Sequence, residues 1–95
     1  MNFEKESQIN EITIEEKVLS FDEKGFVKFS KVARELLEMQ TQYASRYTDN
    51  LDGDYPNFAE DLRIEGGDSG DYYEMKIHKD DIETFVKRVR QYKNR

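Results

Sequence analysis

The stretch Leu62–Tyr92, LRIEGGDSGDYYEMKIHKDDIETFVKRVRQY, decides the fold. Leu62 and Ile64 alternate with Arg63 and Glu65. Tyr73, Met75 and Ile77 alternate with Tyr72, Glu74, Lys76 and His78. Successive side chains of a strand point to opposite faces, so this period of two marks two strands. Between them Gly66-Gly67-Asp68-Ser69-Gly70-Asp71 is a flexible acidic connection, and the whole reads as an antiparallel hairpin with a long loop. The period then changes. Ile82, Phe85, Val86, Val89 and Tyr92 fall at i, i+3, i+4, i+7 and i+10, the apolar stripe of a core-facing helix. Asp80 or Asp81 is its expected cap, with Glu83 three residues beyond Asp80. Lys87, Arg88, Arg90, Lys93 and Arg95 follow without an intervening acid, as suits the negative end of a helix dipole. They can also bind phosphate groups, but a solvated last turn is the favoured reading.

Upstream, Val18–Phe21 and Phe26–Phe29 flank Asp22-Glu23-Lys24-Gly25, a turn whose glycine tolerates positive φ. This predicts a first hairpin with Val27 and Phe29 on one face and Phe26 on the other. Glu11–Phe21 has two readings. Thr13 and Glu16 can form a capping box that opens a short helix at Ile14. The alternation of Ile12 and Ile14 favours instead one long strand. Ser30 is the expected cap of the next helix, whose stripe runs through Val32, Leu36, Met39, Tyr43 and Tyr47 and is widened by Ala33, Leu37 and Ala44. That helix should end near Thr48-Asp49-Asn50. Leu51–Ala59, with Gly53 and Pro56, is a loop or a short helical turn.

The expected fold is therefore α+β in the order ββαββα. Two β-hairpins form an antiparallel sheet, and two helices pack on one face of it. Tyr43, Tyr47, Phe85, Val86 and Val89 should meet in the core. Residues 1–10 form a polar lead-in and residues 11–95 a single domain.

The chain has 95 residues, 36% of them hydrophobic and 38% charged, a balance that approaches the disordered class. Six Phe and six Tyr argue for a folded core, because aromatic side chains bury much area each. A homodimer would relieve the shortage of apolar residues. With no cysteine, disulfides and thiolate metal sites are excluded. Met1–Gln8 lacks the apolar centre of a signal peptide and no stretch is apolar enough to span a membrane, so the cytoplasm is the expected setting.

The charge is unevenly spread. Residues 49–74 hold nine acids and one base, Arg63, so the window is eight negative while the whole chain is six negative. The acids are Asp49, Asp52, Asp54, Glu60, Asp61, Glu65, Asp68, Asp71 and Glu74. Neither Asp49 nor Asp52 starts a workable helix–loop–helix calcium frame, since Leu51, Asp54, Pro56 and Arg63 fall where ligands or Gly are needed. Charge mimicry is the second use. Carboxylates on a firm surface can take the place of phosphates in a basic nucleic-acid-binding groove. Tyr55, Tyr72 and Tyr73, interleaved with the acids, suit the centre of such an interface. Simple solvation of an acidic loop is the third use.

No catalytic constellation stands out. Gly67-Asp68-Ser69-Gly70 is similar to the nucleophile motif of trypsin-like serine proteases. However, Asp71 stands where that motif has Gly, and His78, the only histidine, follows the serine. Among 21 acids, any one carboxylate pair carries little information. His78, with no nucleophile or ligand partner in view, reads as an edge residue. The expectation is a non-enzyme with no cofactor and no metal.

One local resemblance is carried by Val18–Leu37, VLSFDEKGFVKFSKVARELL. It resembles the swapped-hairpin element of AbrB-type transition-state regulators. Gly25, Val27, Phe29, Lys31, Arg34 and Leu37 stand where that pattern has Gly, apolar, apolar, base, Arg and Leu. Phe26 replaces the usual base after the glycine, and Ser30 replaces the proline that opens the helix. The resemblance covers 20 of 95 residues and implies an intertwined dimer that binds DNA, here through Lys24, Lys28, Lys31 and Arg34.

The leading expectation is a small acidic protein-binding module. It blocks a basic, nucleic-acid-binding surface of a partner protein through Asp49, Asp52, Asp54, Tyr55, Glu60, Asp61, Glu65, Asp68, Asp71, Tyr72, Tyr73 and Glu74. By analogy, such inhibitors are often encoded by phages or mobile elements. The alternative is the dimeric DNA-binding regulator.

Overall fold

The computed structural model describes residues 10–48, 55–67 and 72–94. The fold is α+β with antiparallel sheets, as the periodicities indicate. Its element order is richer than ββαββα.

The first element is a tight hairpin of β1 (Glu11–Ile14) and β2 (Lys17–Ser20), with Ile12 opposite Leu19 and Thr13 opposite Val18. Residues 11–21 are thus neither one strand nor the start of a helix. Glu15 and Glu16 form a two-residue turn with φ of 54° and 69°. Positive φ at both positions matches the right-handed twist of the flanking strands. Such turns usually announce themselves with Asn or Gly, and two glutamates hide this one. The Arg90 guanidinium holds Glu15 in place, donating to both carboxylate oxygens at 2.6 and 2.8 Å.

The Asp22–Gly25 turn forms as expected. Gly25 N–H donates to the Asp22 carbonyl at 2.9 Å, and Asp22 Oδ1 accepts from the N–H groups of Lys24 and Phe26. Gly25 has φ of 88°, and a Cβ there would lie 2.9 Å from His78 Nε2. The two strands flanking this turn do not stay together. A single bridge, Phe21 to Val27, joins them before β3 (Phe26–Lys28) pairs with β5 (Lys76–His78). β5 is also the partner of β4 (Ile64–Glu65), which gives a three-stranded sheet in the order β3-β5-β4. The second hairpin is therefore present, with Ile64 opposite Ile77, but Tyr72–Glu74 is a 3-10 turn and not strand.

The long central helix is broken. It opens after Lys28, not at Ser30, as α1 (Phe29–Val32), and continues as a π-helical turn over Ala33–Leu37. Glu38 then adopts a left-handed conformation, φ 56° and ψ 43°. The Ala33 carbonyl accepts from the N–H groups of both Glu38 and Met39 and closes the helix end. A new helix, α2 (Thr41–Ala44), starts and tightens into a 3-10 turn at Ser45–Tyr47. The break resets the phase of the stripe. Val32, Ala33, Leu36 and Leu37 are buried before it, and Thr41, Ala44, Ser45 and Tyr47 after it. Tyr43, expected in the core, is 43% exposed.

The last helix, α3 (Ile82–Lys93), buries Ile82, Phe85, Val86 and Val89, with Tyr92 partly buried. Asp81 occupies its N-cap position, as expected, but makes no side-chain cap hydrogen bond and turns its carboxylate to the backbone and side chain of Arg63. The preceding 3-10 turn, Lys79–Asp81, is capped by His78, whose Nδ1 accepts the Asp80 N–H at 3.1 Å. His78 is thus a mostly buried capping residue, packed edge-on against Phe26.

Phe29 and Phe85, ring centroids 5.5 Å apart, sit at the centre of the core with Leu19, Val27, Val32, Ile77, Ile82 and Val89. Each such side chain contributes about 1.5–3 kcal/mol by leaving water. A second aromatic group surrounds Tyr47, which touches Tyr55, Phe58 and Tyr92. Burial pushes the Tyr47 phenol pKa up.

A non-glycine residue in the left-handed region is strained, and glycine is the usual occupant of this helix-end position. Glu38→Gly should therefore raise the urea midpoint of unfolding, by about 0.5–1 kcal/mol in stability. A lower midpoint would show that the Glu38 side chain makes a structural contribution larger than this strain.

Candidate protein-binding surface

The β4–β5 stems set the site. Gly66 and Gly67 have φ of 85° and 84°, and the chain passes so close to its partner strand that a Cβ on Gly66 would lie 2.6 Å from the Glu74 carbonyl oxygen. Only glycine permits that approach. It packs the chain just after Glu65 against the backbone of Glu74 and Met75. The Tyr72–Glu74 turn then divides the tyrosine pair. Tyr72 packs partly buried against the core, and Tyr73, tilted against it with centroids 5.7 Å apart, is 65% exposed.

The acids also divide. Glu60, Glu65 and Glu74 are exposed, and their carboxylates make no ion pair or hydrogen bond among the described residues. Lys76, the cross-strand neighbour of Glu65, reaches Asp22 Oδ2 at 3.4 Å. Asp61 is different. Arg88 grips both of its oxygens at 2.8 and 3.2 Å and also donates to the Phe58 carbonyl, fastening the loop to α3. The hydrogen bond from Arg88 lowers the Asp61 carboxyl pKa. Tyr55 belongs to the Tyr47 aromatic group, and Arg46 lies over its ring. Asp49, Asp52, Asp54, Asp68 and Asp71 lie outside the described residues.

Arg63, the only base of the acidic window, is turned away from it. Its guanidinium donates to Asp81 at 3.0 Å and lies 3.8 Å from Asp80. Burial pushes the Asp81 carboxyl up, but the side-chain and backbone hydrogen bonds from Arg63 outweigh it and leave the net shift downward. The window's own cation therefore does not neutralise the hairpin-end acids. Of the expected surface residues, Tyr72, Tyr73 and Glu74 share one turn, in which the two rings touch, and Glu65 ends the strand whose next residue, Gly66, packs on the Glu74 backbone.

A feature that sequence reading missed lies beside Tyr73. The break between α1 and α2 opens a notch of about 470 Å³ lined by Arg34, Glu38, Met39, Gln40, Thr41 and Tyr73. A second groove, about 610 Å³, runs between the Glu15 turn and α3, with Ile14, Glu15, Val86 and Arg90 in its walls. Neither is foreshadowed by a local motif, because each depends on a backbone reversal at a glutamate. Among the described residues no group of carboxylates and imidazole is placed to hold a metal ion, and no helix is long and apolar enough to cross a membrane. Comparison of the chain with protein-family models, with curated proteins and with solved structures finds no match.

The paired acids give the fold a pH dependence of fixed sign. Hydrogen bonds lower the carboxyl pKa of Glu15 (from Arg90), Asp22 (from the Phe26 N–H) and Asp61 (from Arg88), and Asp81 is lowered on balance. Depressed folded values stabilise the native state above the unfolded pKa, about 4, and that contribution is lost as pH falls through the lower folded values. The melting temperature should hold near neutrality and fall below about pH 4, with a shallower fall in Arg88→Met. A flat profile through that range would contradict these pairings.

Proposed function

We propose that this chain is a small acidic protein-binding module that occupies and blocks a basic, nucleic-acid-binding surface of a partner protein in the cytoplasm. The observation that carries the reading is the hairpin end. Tyr73, 65% exposed, directly precedes Glu74, whose backbone packs against Gly66 next to Glu65, and the Glu65 and Glu74 carboxylates make no ion pair among the described residues. Each exposed charge pair gains only about 1 kcal/mol at 4 Å in water, so acids alone supply attraction and speed of encounter more than tight binding. A central aromatic that seats against the partner excludes water and strengthens the pairs around it. The acids then stand where phosphates would, and nucleic acid is displaced by direct competition.

The test is a pull-down from host lysate with and without nuclease, eluted in steps of salt. A discrete basic protein should be retained despite nuclease, and this chain should compete with nucleic acid for it. Tyr73→Ala combined with Glu65→Gln and Glu74→Gln should weaken retention by at least about tenfold and flatten its salt dependence. Unchanged retention by that variant would overturn the reading.

A second reading has its own support. Lys24, Lys28, Lys31 and Arg34 are exposed and form no ion pair among the described residues, which leaves a basic run open on the opposite half of the chain. As a swapped-hairpin dimer, the protein would bind DNA directly through them. Retention of DNA at low salt, lost in Lys28→Gln with Lys31→Gln, would select this reading over the first.

A further inference from the structure

The notch between α1 and α2 carries an inference that does not rest on the partner reading, although Tyr73 belongs to both. Glu38 is an unfavourable residue for its position on two counts. It holds a left-handed conformation that glycine would adopt without strain, and it puts a carboxylate at the negative end of a helix. The positive field of Arg90 offsets part of the second cost, but no ion pair forms between them among the described residues. Backbone outliers of this kind are commonly kept for function.

The same left-handed turn separates two charges that a helix would join. Residues four apart on a continuous helix are neighbours, and Arg34 and Glu38 would pair there. In this structure both line the notch, and neither forms an ion pair among the described residues. Thr41 lines it too. This residue is 4% exposed, and its hydroxyl makes no hydrogen bond among the described residues. A buried hydroxyl without a partner is costly and points to a group that completes it. Gln40 adds an amide, and Met39 and Tyr73 add apolar surface.

We propose that this notch binds a small zwitterion of the α-amino-acid type. The ligand carboxylate pairs with the Arg34 guanidinium and the Thr41 hydroxyl, its ammonium with Glu38, and its side chain lies against Tyr73 and Met39. A simple anion would satisfy Arg34 but meet repulsion from Glu38. A simple cation would satisfy Glu38 and the face of Tyr73 but meet repulsion from Arg34. A ligand with both charges satisfies both residues, and the open notch, about 470 Å³, has room for a small one.

The test is a titration of the 15N-labelled full chain, followed by amide chemical shifts, with free phenylalanine, methionine and leucine. Each is paired with its N-acetyl and its carboxamide form. At least one free amino acid should give saturating shifts at residues 34–41 and 73, with both blocked forms at least about tenfold weaker. Glu38→Gly, which keeps or improves the fold, should abolish the response, and Arg34→Met should do so independently. Absence of saturating shifts up to about 10 mM would overturn the proposal. So would equal binding of the blocked forms, or unchanged binding by Glu38→Gly.

Discussion

Arg90 is the residue on which the arrangement of elements depends. From α3 it donates to both oxygens of Glu15 in the β1–β2 turn, and at 2.6 Å to the Leu36 carbonyl at the end of the first helical segment. Three elements distant in sequence are therefore tied to one planar, permanently charged group. The Glu15 hydrogen bond holds the guanidinium firmly in its charged form. A chain with 36% hydrophobic residues has a small core, and charged brackets of this kind add directional contacts to it, each partly exposed and so individually weak. Arg88 on Asp61 and Arg63 on Asp81 repeat the device.

The brackets also sort the charge of the molecule. Asp61, Asp81 and Glu15 serve the fold, and Arg63, Arg88 and Arg90 are occupied by them. Among the described residues Glu65 and Glu74 have no ion-pair partner, and neither have the four bases Lys24, Lys28, Lys31 and Arg34. Net charge alone conceals this division. The acidic window is dense in sequence, yet among its described residues Asp61 is tied into the fold by Arg88 while Glu65 and Glu74 form no ion pair.

Legibility from sequence followed the range of the interactions involved. Helix α3 was legible because its stripe from Ile82 to Val89 is complete within itself. Hairpin β4–β5 was legible because Gly66 and Gly67 mark the reversal. The β1–β2 turn was not, since Glu15 and Glu16 carry no turn signal and their support comes from Arg90, 75 residues from Glu15. The break at Glu38 was illegible for a related reason. Val32, Leu36, Met39, Tyr43 and Tyr47 continue a helical stripe through it, and the left-handed residue shows only in the backbone. At the candidate surface, the acids and the Tyr72-Tyr73 pair were visible as types, but only the 3-10 turn decides that Tyr73 faces solvent. The notch beside it was invisible because Arg34, Glu38 and Thr41 acquire a common purpose only once the helix is broken.

Hydrogen exchange on the chain, alone and with any basic protein that the pull-down recovers, tests the proposed surface most directly. The account predicts new protection at Ile64–Gly67 and Tyr72–Met75, with the amides around Asp61 and Arg88 unchanged. Protection confined to Lys24–Arg34, with the hairpin end unaffected, would contradict it.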